Sequence, residues 1–215
     1  MGNKATVFVV DDDQAMRNSL KWLIESVGMN VEVFGSADEF IRNYYPGRAG
    51  CLLLDVRMPG MSGIELQEYF VEQQIRIPVI IITGHGDVPM AVRAMKVGAV
   101  DFIEKPFNDE LLLDSIRNAL IIDVEQRSLQ AERSEIAARL AALTPREHQV
   151  MEMVTNGRAN KEIALALGVS AKTVEAHRAR VMEKMQANSL AELVKMAMVA
   201  NIFNERIENN DDPSA

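Results

Sequence analysis

The sequence is poor in cysteine, tryptophan and histidine, with one, one and three copies in 215 residues, and aromatics reach only 5%. One thiol excludes an intramolecular disulfide and cannot supply a structural zinc site. That thiol, Cys51, sits in the apolar run Cys51–Leu54, so it is expected to be buried and inert. No apolar run approaches the ~20 residues of a membrane span. Met1–Thr6 also lacks the apolar stretch of a signal peptide, so the cytoplasm is the expected location. What is present is ordinary globular material, 48% hydrophobic and 25% charged. Its 13 methionines are expected to fill gaps between Leu, Ile and Val. The length suits two small domains better than one.

The net charge of −8 is unevenly spread. Residues 1–120 carry −6, residues 121–142 carry −1, residues 143–200 carry +2 and residues 201–215 carry −3. Only the third stretch is positive, which makes it the place to look for a nucleic-acid contact.

Five apolar runs, Thr6–Val10, Val31–Phe34, Cys51–Leu54, Val79–Ile82 and Val100–Ile103, read as strands. Several do not alternate, as expected of strands covered on both faces. Helical patterns near 14–27, 36–44, 62–73, 88–97 and 108–122 separate or follow them. Five strand–helix repeats imply a doubly wound α/β fold with a parallel sheet. Residues 123–142 have high helix propensity and no Gly or Pro, and read as a helical linker that could extend the fifth helix. Ile136, Leu140 and Leu143 recur at helical spacing there, compatible with a coiled-coil seam. From residue 143 to 204 the pattern is all helical. Thr144–Glu147 is a capping box, Asn160 is placed to cap the helix Lys161–Leu167, Gly168 breaks it, and Ser170 caps Ala171–Met185. A short helix, a Gly-containing turn and a second capped helix form a helix-turn-helix. Residues 205–215 are expected to be a disordered tail.

Open α/β sheets bind ligands beyond the carboxyl ends of their strands. Those ends carry Asp11–Asp13, Asp55, Thr83 and Lys105–Pro106. Crowded carboxylates repel one another unless a cation shares them. Oxygen ligands of this kind suit Mg²⁺, which takes one or two carboxylates and keeps several waters. An aspartate beside such a metal, with Lys105 opposite, can accept a phosphoryl group, and Thr83 could hydrogen-bond one of its oxygens. Any one of these residues alone reads as structural, Asp13 for instance as a helix cap. Their coincidence at successive strand ends favours chemistry.

Residues 5–120 resemble receiver domains of two-component response regulators, in Val9–Asp13, Leu54–Gly60, Ile82–Gly84 and Lys105–Phe107. The resemblance implies a flavodoxin-like receiver over residues 1–122 with Asp55 as phosphoacceptor. It implies Mg²⁺ (or Mn²⁺) organised by Asp11 and Asp12, with Asp12, Asp55 and the Arg57 main-chain carbonyl as direct ligands. It assigns sensing of the phosphoryl group to Thr83, pairing with it to Lys105, the switch aromatic to Phe102 and a cis bond to Lys105–Pro106. Arg57 and His85 stand where the family tunes phosphate lifetime; His85 reads more readily as a solvated loop residue than as a base.

Residues 140–202 resemble the LuxR-type helix-turn-helix, in Leu143–Glu147, Asn160–Ala164, Val169–Ser170 and Thr173–Arg178. Together the two likenesses place the chain in the NarL/FixJ family, nearest in pattern to the FixJ branch. They imply a regulator of transcription, an activator by the family's usual mode, that is no enzyme beyond its own phosphotransfer and dephosphorylation. The implied partners are a sensor histidine kinase, double-stranded promoter DNA, RNA polymerase and, on phosphorylation, a second copy; no membrane is expected. Base-reading positions map to Glu175, Ala176 and Ala179, which share a helix face with Lys172. Backbone contacts are expected from Lys161, Lys172, Thr173, Arg178 and Lys184.

Two other classes compete. A magnesium-dependent phosphohydrolase would use the same aspartates, but Asp11–Ala15 does not give the Asp-x-Asp-x-Thr/Val order of haloacid dehalogenases, and Asp55 lies on another strand. A receiver whose last domain binds protein or RNA is opposed by the capped tri-helical pattern with Lys172 and Arg178.

Overall fold

The computed structural model describes residues 5–84 and 86–208, with side chains described through residue 199. The expectations for His85 and for 209–215 lie outside the described residues. Contacts divide the chain into two compact units, Met1–Arg127 and Ser128–Ala215.

In the first unit, strands β1 (Thr6–Val10), β2 (Asn30–Phe34), β3 (Gly50–Asp55), β4 (Val79–Thr83) and β5 (Asp101–Glu104) alternate with helices α1 (Gln14–Ser26), α2 (Ala37–Asn43), α3 (Gly63–Glu72), α4 (Val88–Val97) and α5 (Asp109–Ala141). All pairings are parallel, in the order β2-β1-β3-β4-β5. Strands β1, β3 and β4 are buried along their whole length, which is why their sequences are apolar without alternation. Their side chains feed two cores. Phe8, Leu52, Leu54 and Ile81 pack under α2, α3 and α4, with Phe40, Leu66 and Phe70. Val7, Val9, Leu53 and Ile80 pack under α1 and α5, with Leu20, Ile24, Leu112 and Ile116. Cys51 joins the second core, and burial pushes its thiol up to about 12, so it is inert as expected.

In the second unit, α6 (Pro145–Thr155), α7 (Asn160–Leu167), α8 (Ala171–Met185) and α9 (Leu190–Glu208) follow one another with short turns. Thr144 and Ser170 cap α6 and α8 as the sequence suggests. Asn160 does not cap α7. Ala159 occupies that position, and the Asn160 side chain is turned to α8 instead. Helix α9 runs to Glu208, past the boundary expected at 204.

The expected linker needs the largest correction. Helix α5 is continuous through Ala141, and the division between units falls inside it, at Arg127. Its Asp123 is 1% exposed and accepts the Gly50 N–H (2.9 Å) and the Arg127 guanidinium (2.8 Å). Arg127 also donates to the carbonyls of Gly47 (2.9 Å) and Arg48. Gly50 is required there, because a Cβ would meet the Thr6 carbonyl oxygen at 1.8 Å. Residues 123–127 therefore close the lower edge of the first unit. Further on, Ile136 is buried with Val150, Val174 and Val181, and Leu140 and Leu143 pack against that group. The apolar spacing that suggested a coiled-coil seam is the first stripe of the second core.

Candidate functional site

The order of strands reverses between β1 and β3, and the residues leaving those strands meet there. Asp11 follows β1, Asp55 ends β3, and Lys105 follows β5. The Lys105 ammonium donates to Asp11 Oδ2 at 2.7 Å and to Asp55 Oδ1 at 2.8 Å. Both carboxylates are buried, at 2% and 7% exposure. Each has a further donor: Asp13 N–H on Asp11 Oδ1 (2.8 Å) and Arg57 N–H on Asp55 Oδ2 (2.7 Å). Asp13 itself caps α1 through the N–H of Ala15, its expected structural role.

Thr83 ends β4, is 1% exposed, and its carbonyl accepts the Lys105 N–H at 2.8 Å. The Lys105–Pro106 bond is cis. Phe102 is half-buried and packs on the α2–α4 core, with Gly86 against its ring. Asp12 and the Arg57 side chain are exposed. A position that sequence reasoning passed over is Gly63. A Cβ there would meet the Asp55 carbonyl oxygen at 2.2 Å, so α3 can approach the end of β3 only as glycine.

Two buried carboxylates share one ammonium, and the balance is negative. Burial pushes the Asp55 carboxyl up, against the lowering pull of Lys105, and Asp11 adds to the rise. Burial works against the Lys105 charge, yet its bonds to Asp11 and Asp55 outweigh it and hold its pKa above the usual value. Among the described residues no three His, Cys, Asp or Glu side chains form a ready metal cage. Mg²⁺ does not need one, because it is held by one or two carboxylates and its own waters. The donor set at this edge fits such an ion: hard oxygens, an unbalanced charge and an exposed Asp12 at the rim.

On the second unit, α8 exposes Lys172, Glu175, Ala176 and Ala179 along one face, the face the sequence assigns to reading. Lys161, on α7, is exposed as well. Three of the expected contacts are otherwise engaged. Lys184 donates to Glu147 Oε2 (2.6 Å) and to the Ala142 carbonyl (3.1 Å). Arg178 donates to Asn160 Oδ1 at 2.7 Å, tying α8 to α7. The Thr173 hydroxyl lies 2.8 Å from that of Ser170, inside the cap of α8. Lys184 thus joins α8 to α6, and Arg178 joins α8 to α7. Arg180, exposed on α8 and without an ion-pair partner among the described residues, is a cation that sequence reasoning missed.

Residues 7–117 match the response regulator receiver domain family, and residues 141–197 match the bacterial regulatory proteins of the luxR family. The transcriptional regulatory protein FixJ of Bradyrhizobium diazoefficiens is 49% identical over 206 residues, covering 95% of this chain and 100% of that one. The response regulator protein TodT of Pseudomonas putida is 45% identical over 197 residues, covering 91% of this chain and 87% of that one. Among solved structures, the response regulator StyR aligns with a TM-score of 0.83 at 45% identity, over 91% of this chain and 98% of that one. Full-length FixJ from B. japonicum aligns with a TM-score of 0.54 at 48% identity, over 93% and 98%. Among the described residues no helix is long and apolar enough to cross a membrane. With a receiver match over its parallel-sheet unit and a luxR-family match over its helical one, the chain belongs to the two-component response regulators, as a FixJ-like transcriptional regulator that joins a receiver to a LuxR-type DNA-binding domain.

Proposed function

We propose that this regulator works in the cytoplasm by accepting a phosphoryl group on Asp55 from a sensor histidine kinase. The observation that carries the reading is the Lys105 ammonium within 2.8 Å of both Asp11 and Asp55 at the point where the sheet order reverses. Asp11, Asp12, Asp55 and the Arg57 main-chain carbonyl would hold Mg²⁺ or Mn²⁺. When bound, the metal neutralises charge on the entering group and orients its oxygens. Lys105 then has a phosphoryl oxygen to pair with in place of a carboxylate, and Thr83 donates its hydroxyl to another. The residues of the pocket catalyse this transfer and its hydrolysis and no other reaction.

The response is a population shift. Moving from 1:99 to 99:1 takes about 5.5 kcal/mol of differential stabilisation, within reach of one phosphoryl group making several charge-assisted bonds. Thr83 and Phe102 carry the change to the face of residues 88–103. Val88, Val92 and Met95 form an exposed stripe there, at helical spacing on α4. The neighbouring cleft on β5 and α5 is lined by Asp101, Glu104 and Asp114, opposite in charge to Lys96 of α4. A second copy fits this pairing of basic apolar helix and acidic cleft. Dimerisation brings two copies of α8 to a two-fold related promoter site. Glu175, Ala176 and Ala179 then face base edges, Lys161, Lys172 and Arg180 contact phosphates, and RNA polymerase is recruited as by an activator.

The test is oligomeric state and affinity for duplex promoter DNA with and without beryllofluoride. Both rise in the parent chain and neither moves in Asp55→Asn, which also takes no phosphoryl group from its kinase. An unchanged parent chain refutes the reading.

A further inference from the structure

Each of the three oxygens of Asp11 already accepts one hydrogen bond. Its two carboxylate oxygens take the Asp13 N–H and the Lys105 ammonium, and its main-chain carbonyl takes the Arg17 guanidinium at 2.6 Å. Arg17 lies on α1, six residues after Asp11. Its guanidinium also covers the loop after β2, where a Cβ on Gly35 would stand 3.7 Å from it. That loop is fixed in turn: Gly35 N–H donates to Glu39 Oε2 (2.6 Å), and Phe34 carbonyl accepts the Asp11 N–H (3.2 Å). One side chain thus spans the ends of β1 and β2. It holds the peptide from which the Asp11 and Asp12 carboxylates depart. No carboxylate pairs with Arg17 among the described residues, so its role here is toward a backbone carbonyl.

We propose that Arg17 is a positioning residue for the metal, fixing the turn after β1 so that Asp11 and Asp12 are presented together. The proposal rests on the phosphoacceptor reading above. Groups that orient metal ligands typically contribute 10–100-fold to affinity without touching the ion. Arg17 meets that description through a carbonyl, not through a ligand atom. Lys105 strengthens the requirement, because it already occupies Asp11 and Asp55 and an incoming dication must compete with it for oriented oxygens.

The test is calorimetric titration of the full chain with Mn²⁺, alongside its thermal midpoint and its rate of phosphorylation by a small phosphodonor. Arg17→Ala is expected to bind Mn²⁺ about tenfold more weakly and to need correspondingly more metal for half-maximal phosphorylation. Its rate at saturating metal stays within about twofold, since Asp55 and Lys105 are untouched. Arg17→Lys, which keeps a donor for the carbonyl, recovers most of the affinity. Lys21→Ala removes a positive charge from the same helix and leaves affinity unchanged. Equal Mn²⁺ affinity in Arg17→Ala and the parent, or an equal loss in Lys21→Ala, overturns the proposal. Should Arg17→Ala not fold, Arg17→Lys decides: binding within about threefold of the parent supports the proposal and a tenfold loss overturns it. A parent chain that binds no Mn²⁺ removes both this inference and the reading beneath it. A parent that binds and is phosphorylated only with Asp55 intact leaves that reading standing whatever Arg17 does.

Discussion

The two ends of the receiver sheet each bury carboxylate, and they treat it differently. At the lower end, Asp123 faces one guanidinium and one backbone N–H, and the guanidinium's two terminal nitrogens donate to the carbonyls of Gly47 and Arg48. The charges match one to one, and every nitrogen of the guanidinium donates a hydrogen bond. At the upper end, Asp11 and Asp55 share a single ammonium, and burial drives the Asp55 carboxyl toward its neutral form. A buried ion pair that is fully satisfied is a part of the fold, and removing one partner strands the other. An unbalanced one leaves negative charge to be neutralised, and it marks a candidate site.

The contrast can be broken most forcefully at the lower end. Asp123→Ala strands Arg127 and the Gly50 N–H, and should cost about 3–5 kcal/mol in denaturant unfolding of the first unit. Ending the chain at residue 122 should destabilise that unit, whereas ending it at 127 should not. At the upper end, removing a carboxylate has the opposite sign. A carboxyl whose folded pKa is raised contributes its stability below the unfolded value and loses it as pH rises through the folded one. Ionised Asp55 therefore opposes folding at neutral pH, and Asp55→Asn should unfold at a higher denaturant midpoint than the parent there. A loss in that variant would mean that Lys105 balances the pair after all.

The second unit repeats the contrast between its exposed and its committed cations. Lys172→Ala should reduce the slope of log affinity against log salt by about one on duplex DNA. Lys184→Ala should leave that slope unchanged, because Lys184 holds Glu147. The Glu147 pair also predicts an acid response. Its bond to Lys184, with the N–H of Thr144, lowers the carboxyl to about 2. A depressed carboxylate contributes stability above its unfolded value, and that stability fades as pH falls toward 2. Circular dichroism of Glu147→Gln should show less loss of helix between pH 4.5 and 2 than the parent.

The sequence made the sheet legible because β1, β3 and β4 are buried on both faces, leaving apolar runs with sharp ends. Asp11, Asp55, Thr83 and Lys105 followed from those ends. Arg17 and Gly63 were not legible, since each acts on a backbone carbonyl and such a partner leaves no trace in side-chain pattern. The clasp of Asp123 and Arg127 was hidden by separation along the chain, with partners 73 to 80 residues away. The intramolecular partners of Arg178 and Lys184 were hidden for another reason. A helical wheel of α8 separates the core side from the wet side, but the flanks that meet α6 and α7 depend on packing the wheel does not contain. Asn160 shows the same limit, being locally suited to cap α7 yet held by Arg178.

Cys51 carries a practical consequence. It is the chain's single sulfhydryl, fully enclosed at the middle of the sheet and next to the glycine that Asp123 holds. An alkylating reagent can reach it only when that centre opens. Its rate of labelling is therefore a native clock for the opening of the first unit, read on the intact regulator with no engineered probe.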